Sequence, residues 1–270
     1  MKTLVSKPNN KMNTPISNSD LEIIADAKRI IETETLATQI SRFVGEGVNI
    51  VTKHLPDSAQ QQIVKSLNLT LTKATEWSWL TTGTQETPIL RENWVHSTAV
   101  SLTGLIGGSL GLATALWEIP ITTTIMLRNI GCIAEAEGLD MSQESTRLGC
   151  VSVLAMGGDP TKAKGEELGY WATRQTMAAL VSESLMCSGR GVSPALVRFI
   201  TATTARFGLV ISEKTALQMV PFLGAGAGLA INNIFLDHYQ NIAKAHFSLE
   251  RLSLKYGEAA VKAAYESQEQ

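Results

Sequence analysis

Two stretches of the chain carry no formal charge and are long enough, as helices, to cross a lipid bilayer. The first runs from Asn93 to Trp117 and the second from Thr215 to Leu236, which are 25 and 22 residues. At about 1.5 Å per residue, each reaches or exceeds the roughly 30 Å hydrocarbon core of a membrane. Segments of this kind restrict the chain to folds in which they lie inside a helical bundle or in lipid.

Small residues recur at steps of three and four in both runs, which puts them on one stripe of each helix. The stripe consists of Ser101, Gly104, Gly108 and Gly111 in the first run, and of Gly224 and Gly228 in the second. Such a stripe lets another helix approach closely, and it occurs in membranes and in large soluble bundles. We expect these six residues to mark a seam of tight helix packing.

Three interpretations of the runs remain open: insertion as a helical hairpin, burial as a central pair in a soluble or peripheral bundle, and partial interfacial association. The mean hydropathy of +0.06 is low for a protein that lies mostly in lipid. The second run is less membrane-like because it contains Gln218, Pro221, Asn232 and Asn233. Arg91 and Glu92 cancel before the first run, so the flanking charges set no orientation.

The composition excludes some partners and suggests a compartment. A net charge of -2, with 23 basic residues spread among 25 acidic ones, argues against a nucleic-acid partner. The three cysteines, Cys132, Cys150 and Cys187, lie far apart in apolar surroundings that suit buried free thiols in a reducing compartment. The polar residues 1–18 contain no signal-peptide pattern, so we expect a disordered tail on a cytoplasmic protein.

Signals for helix starts dominate the rest of the chain, and signals for strands are nearly absent. Ser19 with Glu22 has the spacing of a capping box, which predicts a helix from about Asp20. Asp57 with Gln60 predicts a second start, and this helix should close near Gly83. Its buried face should hold Ile63, Leu67, Leu71, Ala74 and Trp77.

Later signals continue the pattern. Pro120 disfavours helical geometry at Ile119, which predicts a new helix from there to Gly138 with Met126, Ile130 and Ile133 on its buried face. Ser142 can cap the next helix, which should stop at Gly157. Another should follow to about Met186, and Ser193 before Pro194 predicts a further start.

The fold expected from these signals is all-α: a bundle of eight to ten helices in which the two glycine-rich apolar helices are adjacent and central. We divide the chain into a disordered tail (1–18), amphipathic N-terminal helices (19–90) and a larger helical domain (91–270).

From about Trp94 to the C-terminus, the chain resembles the EcsC family of bacterial proteins. The matching residues are Glu118–Pro120, Thr122–Arg128, Ala134, Glu137, Gly138, Arg147, Met156–Gly158, Ser212–Lys214, Pro221, Gly224, Gly226, Ile231, Asn232, Ala245–Phe247 and Lys255–Gly257. The resemblance implies a mostly helical protein connected with membranes and with an ABC-transporter operon. It transfers no catalytic residue, and its polar positions here are Glu118, Arg128, Arg147, Asn232 and His246.

The residues themselves offer few candidates for chemistry. Glu118 follows a long apolar run, where burial can raise a carboxyl pKa, but pairing with Arg128 or Arg147 is the more common role of such a residue. His238 and His246 are eight positions apart, about 80° around a helix, so a metal site would need ligands from elsewhere. We therefore assign no metal, no cofactor and no catalytic residue.

Two hypotheses follow. The first is a non-enzymatic, membrane-associated helical protein that acts with a transporter or binds lipid, either peripheral to the inner membrane or inserted in it. The alternative is a soluble helical hydrolase or metal-dependent enzyme that uses Glu118, Asp140, His238 and His246.

Overall fold

The computed structural model describes residues 15–32, 36, 39, 55–76, 108–158, 169–187, 193–218 and 224–268, with the backbone alone at 76, 108–117, 217–218 and 224–229. These residues form eight α-helices and their connecting turns, with no strand among them. The helices are α1 (Asn18–Glu32), α2 (Asp57–Glu76), α3 (Gly108–Ala136), α4 (Glu144–Met156), α5 (Tyr170–Met186), α6 (Pro194–Gln218), α7 (Gly224–Tyr256) and α8 (Glu258–Ser267). The predicted all-α multi-helix bundle is confirmed.

Helices α4 and α7 organise the packing of the bundle. The long α7 contacts α1, α3, α4, α6 and α8, and α4 contacts α2, α3, α5, α6 and α7. Every residue of α4 from Cys150 to Met156 is buried, as expected of a helix that is apolar on all sides. The short α4 is therefore the most enclosed helix of the described bundle.

The first helix begins two residues earlier than the predicted start. The Ser17 hydroxyl accepts a hydrogen bond from the Asp20 amide at 3.3 Å, and it donates to the Asp20 carboxylate at 2.9 Å. Ser17 and Asp20, rather than Ser19 and Glu22, therefore cap the helix. The prediction was wrong because Asp20 is turned inward to a buried partner, which a local spacing rule does not reveal.

Two other predicted boundaries were also wrong. Helix α3 continues through Pro120 without ending, so the missing amide hydrogen bond is tolerated inside a helix that packs against α2, α4 and α7. Ser142 does not cap α4, because that helix begins after Gln143 and has no side-chain cap. The backbone amide of Ser142 instead donates to the Asp140 carboxylate at 2.9 Å, within the turn.

Several predicted helix features are confirmed. Helix α2 begins at Asp57, and its buried face holds Ile63, Leu67, Leu71 and Ala74, while Trp77 and Gly83 lie outside the described residues. In α3 the buried face holds Met126 and Ile130, Ile133 is partly buried, and Gly138 follows the helix with a φ of 84°. The Ser193 hydroxyl caps α6 by accepting the Leu196 amide at 3.1 Å, and α5 ends at Met186.

The two uncharged runs are only partly described. Residues 93–107 lie outside the described part of the chain, and 108–117 form the first turns of α3. The second run is divided between two helices, since α6 ends at Gln218 and α7 begins at Gly224. Helices α3 and α7, which carry described parts of both runs, pack against each other.

The N-terminal helices pack against helices from the rest of the chain. Helix α1 contacts α7 and α8, and α2 contacts α3, α4 and α6. The predicted boundary near residue 90 and most of the predicted tail lie outside the described residues.

Candidate functional site

A buried ion pair joins two stretches that carry the family resemblance. The Lys214 ammonium of α6 lies 3.1 Å from the Glu118 carboxylate of α3, across 96 positions of sequence. Lys214 is 4% exposed, and its ammonium lies 4.9 Å from the centre of the Phe235 ring of α7. The three helices thus meet at a charged pair that is backed by an aromatic ring.

Pairing of Glu118 with Arg128 or Arg147 was therefore the wrong expectation. Glu118 and Arg128 lie on the same helix, about 15 Å apart along its axis, which is too far for a direct ion pair. Arg147 donates instead to the carbonyls of Met141 and Ser142, at 3.2 and 2.6 Å. The true partner was not predictable from spacing, because it comes from a different helix.

Burial has a clear electrostatic effect on this pair. Desolvation lowers the pKa of Lys214, and the nearby Glu118 carboxylate opposes that shift only in part. A buried ion pair of this kind contributes little net stability, because removing both charges from water is costly.

The two histidines of α7 serve separate contacts. His238 is buried, and its Nε2 lies 2.8 Å from the Gly157 carbonyl oxygen, which can only accept a hydrogen bond. Nε2 therefore carries the proton, and Nδ1 accepts from the Gln39 amide at 3.2 Å. His238 thus links α7 to the turn after α4.

His246 is buried beside the first residue of α5. Its Nδ1 lies 2.9 Å from the Tyr170 hydroxyl, and its Nε2 lies 3.9 Å from the Glu250 carboxylate. Burial lowers the pKa of His246 to about 3 and raises that of Tyr170 to about 12, so both side chains are neutral at pH 7. The pair acts as a neutral buried hydrogen bond.

The four residues of the enzyme alternative make their contacts separately. Glu118 pairs with Lys214, Asp140 accepts from the Ser142 amide, His238 contacts Gly157, and His246 contacts Tyr170. Within the described part of the chain, no three His, Cys, Asp or Glu side chains form a group that could hold a metal ion. A surface cavity of about 610 Å³ beside α2 is lined there by Asp57, Gln60, Gln61, Val64, Lys65 and Asn68, none of which belongs to this set.

The remaining predicted site residues are less well described. Asn232 is buried in α7, and Arg128 is half-buried in α3. Ser101 and Gly104 lie outside the described residues, and Gly108, Gly111, Gly224 and Gly228 are described by backbone alone, so the seam stays a prediction. The predicted seam of tight helix packing did not include Gly157, where an added Cβ would lie 2.4 Å from the Tyr239 ring.

The cysteines are all unpaired, but they differ in exposure. Cys150 is buried and Cys132 is half-buried, whereas Cys187 is exposed at the end of α5, which corrects the expectation of burial for that thiol. Burial raises the pKa of Cys150 to about 12, which leaves the thiol protonated and unreactive.

One described helix is long and apolar enough to cross a membrane. It comprises Pro194–Ala216 of α6, with a mean hydropathy of 1.3, and half of that window is buried within the bundle. Buried core helices of soluble proteins satisfy the same length and composition test. The finding is therefore weak evidence for a membrane location.

Fold and site together define a helical-bundle protein whose central contacts join polar residues from separate helices. The chain belongs to the EcsC protein family, whose model matches residues 18–252. No curated protein and no solved structure matches the chain.

The family match is longer at its N-terminal end than the resemblance predicted. It includes α1 and α2 in addition to the region after Trp94, and it ends before α8. The contacts of α1 with α7 and of α2 with α6 are therefore contacts within the matched region.

Proposed function

We propose that the protein is a non-enzymatic, membrane-associated member of the EcsC family, which rests the outward face of α6 on the cytoplasmic surface of the inner membrane. In this role the bundle is a binding scaffold for lipid or for a membrane-protein partner such as a transporter. The three unpaired cysteines are compatible with the reducing cytoplasm.

The observation that carries the proposal is the outward face of α6. Val197 and Leu209 are 51% and 59% exposed, and the exposed Thr201 and Ala205 lie between them at four-residue steps. Residues at this spacing form one continuous stripe along a helix. The stripe carries no charge over three turns of the described helix that is long and apolar enough to cross a membrane.

Charged residues border the stripe: the partly buried Glu213 lies at the next four-residue step after Leu209, and two arginines lie beside the stripe. Arg198, at its N-terminal end, pairs with Glu183 of α5. Arg206 is half-buried and donates to the Thr173 hydroxyl at 3.1 Å. An uncharged stripe flanked in this way suits shallow contact with the interfacial region of a bilayer.

Surface contact fits the packing of α6 better than a transmembrane position does. The inner side of α6 packs against α2, α4, α5 and α7, and Lys214 on that side is already paired with Glu118. Separating α6 from the bundle would leave Lys214 and Glu118 each without a counter-ion. An unpaired charge is costly in hydrocarbon.

Vesicle sedimentation tests the proposal. We expect the purified chain to sediment with liposomes of phosphatidylglycerol and phosphatidylethanolamine, and Leu209→Asp to weaken this binding by about tenfold, because a charge then enters the apolar contact. Leu254→Asp is the matched control, since Leu254 is also exposed, at 66%, but lies on α7.

Circular dichroism should show the same fold for both variants, because exposed substitutions usually change stability by less than about 0.5 kcal/mol. The proposal is wrong if the wild-type chain stays in the supernatant at low salt. Equal losses of binding for the two variants would show that α6 is not the contact face.

A further inference from the structure

The N-terminal turn of α5 has backbone donors that no described side chain caps. Gly169 precedes the helix, and no side chain caps it. The first intrahelical bond runs from the Thr173 amide to the Gly169 carbonyl, at 3.1 Å, so the amides of Trp171 and Ala172 have no intrahelical acceptor. Apart from its chain neighbours, no described residue has an atom within 4 Å of the position that a Cβ would take at Gly169.

Two buried side-chain nitrogens at this end of α5 also lack an acceptor among the described residues. Trp171 and Arg174 are 7% and 8% exposed. The indole Nε1 of Trp171 and the Nη1 of Arg174 are fully buried, and neither has a hydrogen-bond partner among the described residues. Buried donors without an acceptor are uncommon in folded proteins, and each one calls for an explanation.

The two side chains lie close together. The guanidinium carbon of Arg174 lies 5.1 Å from the centre of the Trp171 ring. Helical side chains lean toward the N-terminus, which brings the Arg174 guanidinium back toward the first turn of α5. Three kinds of donor, from backbone, indole and guanidinium, therefore gather at one end of α5.

We infer that the N-terminal turn of α5 binds an oxyanion of the phosphate class, with Arg174 and Trp171 as its side-chain ligands. A helix N-terminus favours anions, and an arginine guanidinium forms strong hydrogen bonds with phosphate oxygens. Phosphate offers several acceptor oxygens in different directions, as the separate indole and guanidinium donors require. Ordered water would accept hydrogen bonds from these donors, but it carries no negative charge to attract the Arg174 guanidinium.

The neighbouring side chains determine how strong this site is. The Glu250 carboxylate lies 3.4 Å from the Nη2 of Arg174, and the Ser253 hydroxyl lies 3.5 Å from the same nitrogen. Neither contact involves Nη1. The Glu250 carboxylate is 40% exposed and competes with a bound anion for the guanidinium charge. The Tyr170 hydroxyl is occupied by His246, so it is not among the ligands.

The indole signal of Trp171 provides a direct test on the full-length chain. The chain has five tryptophans, and Trp171→Phe assigns the Trp171 indole in a proton–nitrogen correlation spectrum by removing it. Inorganic phosphate at pH 7 should shift this signal saturably, while chloride at the same ionic strength should not. The other four indole signals serve as internal controls.

Variants of the two charged neighbours should have opposite effects. Arg174→Gln should weaken phosphate binding at least tenfold, through loss of a charge-assisted hydrogen bond. Glu250→Gln should strengthen it about threefold, because a competing charge is removed. If Arg174→Gln unfolds, Arg174→Lys keeps the positive charge without the free Nη1 donor and should still weaken binding severalfold.

The inference is overturned if phosphate leaves the Trp171 signal where chloride leaves it, or if folded Arg174 variants bind phosphate as the wild type does. A lipid headgroup and a free phosphate ester offer the same chemistry, and phosphatidic acid vesicles separate them. Weaker sedimentation of Arg174→Gln would identify the headgroup, and unchanged sedimentation would identify a soluble phosphate. Because the phosphate titration contains no membrane, it stands apart from the test of α6.

Discussion

Asp20 and Lys214 are both buried charged side chains, but their surroundings act on them in opposite ways. The Asp20 carboxylate accepts hydrogen bonds from the Tyr256 hydroxyl at 2.6 Å, the Lys255 ammonium at 2.9 Å and the Ser17 hydroxyl at 2.9 Å. These contacts lower its pKa to about 2, with the Tyr256 hydrogen bond as the largest cause. The fold therefore favours the charged form of Asp20.

Lys214 is buried more deeply than Asp20, at 4% exposed against 7%, and it has fewer compensating contacts. It pairs with Glu118 and lies beside the Phe235 ring, yet burial still lowers its pKa, so the fold disfavours its charged form. The Asp20 network therefore stabilises the docking of α1 on α7. The Lys214 pair contributes little stability, and it defines which helices meet at the centre.

Breaking the central pair on one side should have the largest effect. Glu118→Gln leaves the Lys214 ammonium buried without its counter-ion, and we expect a loss of about 3 kcal/mol in the free energy of unfolding. The double variant Glu118→Gln/Lys214→Met removes both charges and should recover most of that loss. Urea denaturation of the wild type, the two single variants and the double variant measures the coupling.

Lys214→Met alone should cost less than Glu118→Gln, because the Glu118 side chain left behind is 20% exposed and stays partly hydrated. A double variant that is no more stable than Glu118→Gln would contradict the view that the pair contributes little net stability.

Neutralising Asp20 should have the next largest effect. Its folded pKa of about 2 lies below the unfolded value near 4, so the carboxylate contributes stability above pH 4 and loses it as the pH falls toward 2. Asp20→Asn should therefore lower the free energy of unfolding by about 2 kcal/mol at pH 7, and by roughly half as much at pH 3. Urea denaturation at both pH values measures the difference.

Asp26→Asn provides the control for Asp20→Asn, since it lies on the same helix and pairs with Arg29 at 59% exposure. We expect its effect to stay below about 0.5 kcal/mol. An Asp20→Asn deficit that is equal at pH 7 and pH 3 would assign the effect to packing rather than to charge.

The helices were largely predictable because their signals are local. The buried face of α2 and the Ser193 cap of α6 follow from spacing within one or two turns. The failures at Ser19 and Pro120 have a common origin: Asp20 is turned inward by α7, and α3 is held through Pro120 by three neighbouring helices. Tertiary packing overrode local preference at both places.

Of the central ion pair between Glu118 and Lys214, only the buried carboxylate was predictable from the sequence. The apolar run before Glu118 indicated a buried carboxylate, but its partner Lys214 is 96 positions away, and spacing along one helix carries no information about that contact. The approach of Tyr239 to Gly157 was missed for the same reason. Contacts between helices distant in sequence require the arrangement of α3, α4, α6 and α7, which helix periodicity does not supply.

The smallest predicted effect separates the two strongest contacts of Asp20. Lys255 carries a formal charge but is 54% exposed, so water screens its attraction for the carboxylate. Tyr256 is neutral but buried, and its hydroxyl makes the shorter contact. Tyr256→Phe should therefore cost about 1.5 kcal/mol, and Lys255→Met should cost clearly less, as measured by urea denaturation at pH 7. The pKa of Asp20, followed by carboxyl NMR titration, should rise more in Tyr256→Phe than in Lys255→Met. The reverse order would mean that the ion pair, rather than the buried hydroxyl, holds α1 on the bundle.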